Sequence, residues 1–258
     1  MDGVLFDNGQ FTLLRYPGGK SGSYAVPGSV TNILGNSFAH SLGITSIGIP
    51  IGVISIGQNT FYGCANLTNV PIPGHISNIP ASTFAYCTSL SSISIPNSIK
   101  SIDYTAFEGD SSLSYILIPT SVTNLGQYAF TLCDQLTSVF FMGNAPSADS
   151  TVFSFDPKAT VYYLAGTTGW GATFGGVPAV LWNPFIQTRD STFGFSNGQF
   201  RFKILGAPDI PIVIDVCTNL ANAVWLPLQH LTLTNGFYYF NEPAALNSHS
   251  RYYRVSPQ

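Results

Sequence analysis

Proline and phenylalanine recur through the middle of the chain at a fixed interval of 23 residues. Proline stands at 27, 50, 73, 96 and 119, and phenylalanine at 38, 61, 84, 107 and 130. Three apolar rows keep the same interval: Ile44, Leu67, Leu90, Leu113 and Leu136; Val30, Val53, Ile76, Ile99 and Val122; and Ile33, Ile56, Ile79, Ile102 and Leu125. Several rows in one register specify a solenoid. A unit this short cannot bury its apolar face alone, so each must stack on a neighbour and share one continuous core.

One unit shows how the coil is built. In Leu90-Ser-Ser-Ile-Ser-Ile-Pro, Ile93 and Ile95 alternate with Ser92 and Ser94. That period of two is a strand with one buried face. Pro96 ends the strand, since it lacks an N–H and fixes φ. Ile99 and Ile102 begin a second short segment. Thr105-Ala-Phe107 is predicted as a short helical or 3-10 turn that carries Phe107 inward. Phe38, Phe61, Phe84, Phe107 and Phe130 are then a structural ladder, joined by Cys64, Cys87 and Cys133, each three residues after its phenylalanine.

These units resemble the BspA-type leucine-rich repeat of bacterial surface proteins. Leu67…Val70…Ile72-Pro73…Ile76…Ile79…Phe84…Cys87 follows the repeat almost position by position, and full units cover 24–135. Ser41 and Asp110 depart from it at the cysteine position, Thr60 and Thr83 at the alanine position, and Pro71 and Pro80 are extra prolines. These are expected to distort coils locally without changing the fold. The resemblance implies an extracellular or bacterial cell-surface location. The start of the chain has no basic, apolar leader, so Met1 is expected to lie within a longer secreted protein.

The remaining segments differ in texture. Residues 1–23 are predicted to be a partial N-terminal repeat with a hairpin turn at Asp7-Asn8-Gly9. The period weakens after Leu136, and the aromatic-rich stretch 136–184 resembles a C-terminal capping unit. Residues 185–258 carry short alternating strands such as Phe200-Arg-Phe-Lys-Ile and Ile212-Val-Ile-Asp-Val, with turns at Asn197-Gly and Asn235-Gly. They predict a small antiparallel β-sandwich. This stretch resembles a C-terminal β module of secreted Verrucomicrobia-like proteins, through Val213-Ile-Asp-Val-Cys-Thr-Asn-Leu220, Trp225 and Arg251-Tyr-Tyr-Arg254. The whole reads as a mainly β chain, a leucine-rich-repeat solenoid followed by a sandwich.

Composition excludes several functions. Only 8% of residues are charged, the net charge is −3 and the nine Lys and Arg are scattered. A nucleic-acid surface needs concentrated positive charge, so none is expected. No apolar run reaches the roughly 18–20 residues of a membrane-spanning helix. Histidines 40, 75, 230 and 249 are far apart, and no catalytic arrangement, cofactor motif or metal-ligand spacing emerges. Gly18-Gly19-Lys20-Ser21 lacks the glycine that a phosphate loop needs at position 14. Asp103, Glu108 and Asp110 are read as a solvated loop rather than a calcium or catalytic site. Metal binding or a disulfide ladder is open to the cysteines, but buried thiols account for them better.

The chain is therefore expected to be a non-enzymatic module that binds a protein or glycan through the outward face of the first strand row. That face carries Asn69, Ser92, Ser94, Tyr115, Leu117, Ser138 and Phe140. Its aromatic end is either an exposed patch or a surface covered by the cap or the C-terminal module. The alternative is a structural subunit that self-assembles through its N-terminal coil.

Overall fold

The computed structural model describes residues 3–196, 198–243 and 250–257. Contacts divide the chain into two units, Met1–Val180 and Leu181–Gln258. Asn197 and His249 lie outside the described residues.

The first unit is the solenoid. The three apolar rows and the phenylalanine row all face its interior, each side chain no more than 8% exposed. Phe38, Phe61, Phe84, Phe107 and Phe130 stack coil on coil with ring centroids 5.2–5.5 Å apart. The stack runs beyond the regular sequence rows at both ends. Tyr16 lies on Phe38 at 5.0 Å, and Phe153 lies on Phe130 at 5.5 Å. The coil geometry thus continues past Leu136, where the prolines and aliphatic rows no longer mark it. The aromatic stretch beyond ends in a cluster of Phe141, Tyr163, Trp170 and Phe174.

Each coil closes through turns. The carbonyls of Pro27, Pro50, Pro73, Pro96 and Pro119 accept hydrogen bonds from the N–H three residues on, at 3.0–3.2 Å. Proline in this slot therefore ends the strand and anchors the turn that follows.

The segment leading to each phenylalanine is not the predicted helical or 3-10 turn; among the described residues there is no helix of either kind. Asn36, Asn59, Ser82, Thr105 and Tyr128 all have left-handed φ of 50–60°. Four residues later the same geometry recurs at His40, Gly63, Tyr86, Gly109, Leu132 and Phe155. Alternating handedness sends successive N–H groups in different directions. In one coil the N–H groups of Asn59, Phe61 and Gly63 bond to Ala81, Thr83 and Ala85 of the next, while Tyr62 and Cys64 bond back within their own coil. A helix would satisfy the backbone locally; this arrangement uses half of it to join coils.

Glycine is needed at two of these positions for space as well as conformation. A Cβ at Gly109 would fall 2.6 Å from Cδ1 of Tyr86, and one at Gly63 would fall 2.8 Å from Nδ1 of His40. Gly109→Ala is expected to lower stability by about 1–3 kcal/mol, combining the left-handed cost with displacement of Tyr86. Urea unfolding of the variant checks this; an unchanged midpoint would remove the steric account.

The two extra prolines interrupt the ladders locally, as their chemistry dictates. Gly57, Asp103 and Gly126 donate their N–H groups to Ile33, Ile79 and Ile102 of the preceding coil. Pro80 occupies the same slot with no N–H to give, and the second strand row breaks there into Thr12–Arg15, Asn32–Ile33 and Ser55–Ile56 on one side and Asn78–Ile79, Ser101–Ile102 and Asn124–Leu125 on the other. Pro71 stands in the first row, where Gly22–Ala25 and Ile44–Gly48 are separated from Tyr115–Ile118, Ser138–Phe141 and Thr160–Leu164. Within each stretch the paired strands are parallel. At the N-terminal end, Leu5–Phe6 pairs antiparallel with Thr12–Arg15 around the Asp7 turn, whose carboxylate accepts from the N–H groups of Phe11 and Thr12.

The second unit holds two antiparallel sheets. One places Gln199–Leu205 between Phe237–Pro243 and the flanking strands Phe185–Gln187 and Gly194–Ser196. The other centres Ile210–Cys217 between Leu226–Leu233 and Tyr252–Ser256. Tyr253 of the second sheet meets Phe200, Phe202 and Phe240 of the first at 5.3–5.7 Å, so the sheets pack face to face. Asp215 is anchored by Arg254 Nε at 2.8 Å and Ser256 Oγ at 2.7 Å.

Candidate functional site

The outward face of the first strand row changes character along the solenoid. Asn69, Ser92 and Ser94 are exposed and point away from the buried Val70, Ile93 and Ile95. Asn69 is in register with Ser46. Tyr115 is half-buried and Leu117 is 37% exposed. In the next strand Ser138 and Phe140 pair in register with them, but Ser138 is 6% and Phe140 1% exposed. This corrects the expectation that both belong to an open face. Phe140 stands outside the coil interior, and its ring lies on Tyr162 at 5.1 Å and 22°. The sequence shows an aromatic residue on an outward position; it does not show that another ring comes to lie on it.

Inside the coils a second ladder follows three residues after the phenylalanines: Ser41, Cys64, Cys87, Asp110, Cys133 and Asp156, all buried. Cys64, Cys87 and Cys133 are free thiols. Each donates its S–H to a phenylalanine carbonyl of the preceding coil, at 3.1–3.2 Å from Phe38, Phe61 and Phe107. Burial pushes these thiols up, Cys64 to about 11, which suppresses the thiolate that metal binding or thiol chemistry requires.

Asp110 is the exception to its predicted role in a solvated loop: its residue exposure is 0%. Its Oδ1 accepts the Cys87 N–H at 2.8 Å, while Oδ2 has no partner. Both carboxyl oxygens of Asp156 lack partners. Burial raises both carboxyl groups, that of Asp156 to about 7. The neighbours in sequence point elsewhere. Asp103 accepts from Ser101 Oγ and Asn78 Nδ2, and Glu108 accepts from the Tyr86 hydroxyl at 2.6 Å. The three carboxylates therefore do not converge. Among the described residues no group of three His, Cys, Asp or Glu could hold a metal ion. Residues 17–21 form a turn with no helix after it, so no phosphate-binding geometry is present there.

A concave site lies where sequence periodicity gave no warning, on the left-handed turn segments of the first coils. Arg15, Asn36, Ala39, His40, Asn59 and Tyr62 line a cleft of about 480 Å³. Arg15 is fixed there by its Nη1, which donates to the Asn36 carbonyl at 2.6 Å. His40 meets Tyr62 edge to face at 5.2 Å, and Tyr62 meets Tyr86 likewise at 5.6 Å. The sequence signal was available only as two asparagines 23 residues apart, at 36 and 59.

In the second unit, Lys203 lies over the rings of Phe237 and Tyr239 at 4.8 and 5.1 Å. Ser191, Thr192, Arg201, Phe202, Tyr239, Phe240 and Asn241 line a cleft of about 280 Å³. No helix of the described residues is long and apolar enough to cross a membrane.

The sequence model for the BspA type leucine rich repeat region matches residues 23–160 in six copies, ending before the second unit. A leucine rich cell surface protein of Faecalibacterium prausnitzii is similar in structure, with a TM-score of 0.54 and 34% identity over 56% of this chain and 39% of that one. A leucine-rich repeat protein of Eubacterium ventriosum gives a TM-score of 0.52 at 25% identity, with the same coverage of each chain. The match thus spans about two-fifths of the length of those two proteins. A leucine rich repeat protein of T. pallidum, at 24% identity and a TM-score of 0.54 over 65% of this chain and 82% of that one, shares the fold. No curated protein matches the sequence. With six copies of the repeat over residues 23–160, more than half of its length, the chain belongs to the BspA-type leucine-rich-repeat family.

Proposed function

We propose that the protein is a non-enzymatic binding module of a bacterial cell surface that recognises a protein or glycan through its repeat array. One observation carries this reading. The coils present exposed small polar side chains, among them Asn69, Ser92 and Ser94, on a rigid framework. Such a strip suits partners held by hydrogen bonds and shape rather than by strong fields. The surface location of the F. prausnitzii relative supports the placement, and the scattered histidines favour binding over catalysis. The test is a screen of immobilised protein against glycans and extracellular matrix proteins. A saturable partner is expected, with Ser92→Arg and Ser94→Arg each weakening it by about tenfold, or 1.4 kcal/mol. A partner indifferent to both changes would overturn the use of this face.

A second reading rests on the Gly22–Ala25 strand, which has a neighbour on one side only among the described residues. An open strand edge is a template for pairing with another copy, so the same chain could build filaments or a surface layer. Light scattering over a wide concentration range, with electron micrographs of the fractions, separates the two. A monomer throughout supports the binding module; ordered assemblies abolished by Ser23→Lys support the structural subunit.

A further inference from the structure

We propose that the cleft on the first coils is a binding site for a saccharide that bears a carboxylate, with Arg15, Asn36, His40, Asn59 and Tyr62 as its contacts. This rests on the binding-module reading and names the ligand class and the place. The cleft's volume, about 480 Å³, falls in the range of roughly 300–1,000 Å³ typical of small-molecule sites.

The chemistry of the lining selects the ligand. Only one guanidinium nitrogen of Arg15 is engaged, by the Asn36 carbonyl, so the remaining N–H groups have no partner among the described residues. A guanidinium held in place offers a planar fork that matches a carboxylate. No aspartate or glutamate lines the cleft, although acids outnumber bases twelve to nine in the chain. An anion there meets no fixed negative charge.

The other groups favour a sugar over a peptide. The side-chain amides of Asn36 and Asn59 make no hydrogen bond among the described residues, and each offers both donors and an acceptor. Neighbouring hydroxyls on a pyranose ring present the same mixture. In later coils the equivalent slot holds Ser82 and Thr105, whose hydroxyls bond to each other at 2.7 Å. The Tyr86 hydroxyl is likewise taken by Glu108, whereas that of Tyr62 makes no hydrogen bond among the described residues. Unmet polar groups are thus gathered on the first two coils, beside an aromatic ring. Gly63 keeps the site open, because a Cβ there would displace the imidazole of His40.

The experiment measures binding of the whole protein to two matched probe pairs: sialyllactose against lactose, and a glucuronate-containing hyaluronan tetrasaccharide against its carboxyl-reduced form. The acidic member of at least one pair is expected to bind about tenfold more tightly or better. Arg15→Gln should erase that preference. Asn59→Asp, which keeps the left-handed turn but adds a negative charge, should reject the acidic probe more than the neutral one. Unchanged melting temperatures for both variants show that the fold is intact. Equal binding of acidic and neutral probes, indifference to both substitutions, or preference for a glutamate-rich peptide overturns the proposal. A protein ligand captured with no saccharide bound overturns this site and leaves the binding module standing. No partner of any kind removes both.

Discussion

Alanine in place of Phe107 is expected to lower the unfolding free energy by about 3–5 kcal/mol, among the largest effects available in this solenoid. The ring is fully buried and lies parallel to both neighbours, at 5.3 Å and 11° from Phe84 and 5.2 Å and 1° from Phe130. Removing it leaves a void that rigid flanking coils cannot close, and it forfeits two ring stacks, each worth about 0.5–1.5 kcal/mol beyond area burial. Repeat arrays draw stability from neighbouring interfaces, so the loss splits the array at its centre. Denaturant unfolding should show a lower midpoint, with hydrogen exchange quickening first in the coils of Phe84 and Phe130. The same substitution at Tyr16, which has a ladder neighbour on one side only, should cost less. Equal effects at the two positions would contradict the stacked-coil account.

Stability is also expected to fall as pH rises from about 4 to about 7. An unfolded aspartate loses its proton near 3.9, whereas Asp156 holds its proton in the folded state until about 7 because burial disfavours the charged form. Between these values the folded chain binds more protons than the unfolded one, so the free energy of unfolding decreases with pH. The loss attributable to Asp156 is on the order of 2–4 kcal/mol and levels off above its folded value. Asp110, raised further by complete burial, extends the decline to higher pH. Cys133 and Asp134 are the groups acting on Asp156, and Cys87 donates its N–H to Asp110. Asp156→Asn should match the parent at pH 4 and exceed it at pH 8, read from urea midpoints at each pH. A flat profile in the parent, or the same slope in the variant, would show that these carboxyl groups are solvated.

Both aspartates stand where neighbouring coils have cysteine, and that substitution explains their behaviour. A thiol in this slot donates to the phenylalanine carbonyl of the preceding coil. A neutral carboxyl group keeps a proton to donate in the same enclosure; a carboxylate has none. The position in the repeat, rather than the charge of the residue, decides its environment.

The 23-residue spacing determined the solenoid, the inward direction of every aliphatic and phenylalanine row, and the family. These follow from sequence because each repeated residue meets its own copy one coil away, so a local pattern is also a tertiary contact. The turn before each phenylalanine was misread as helical because left-handed φ at Asn36, Asn59, Ser82, Thr105 and Tyr128 has no single residue signature. There the bonds to the next coil impose the conformation on whichever side chain is present. The burial of Phe140 and Asp110, the continuation of the ring stack to Tyr16 and Phe153, and the cleft at Arg15 were likewise decided by tertiary structure. Each depends on residues that the repeat does not relate. A periodic sequence specifies what recurs, and only the packed chain shows where an unrepeated residue finds its neighbours.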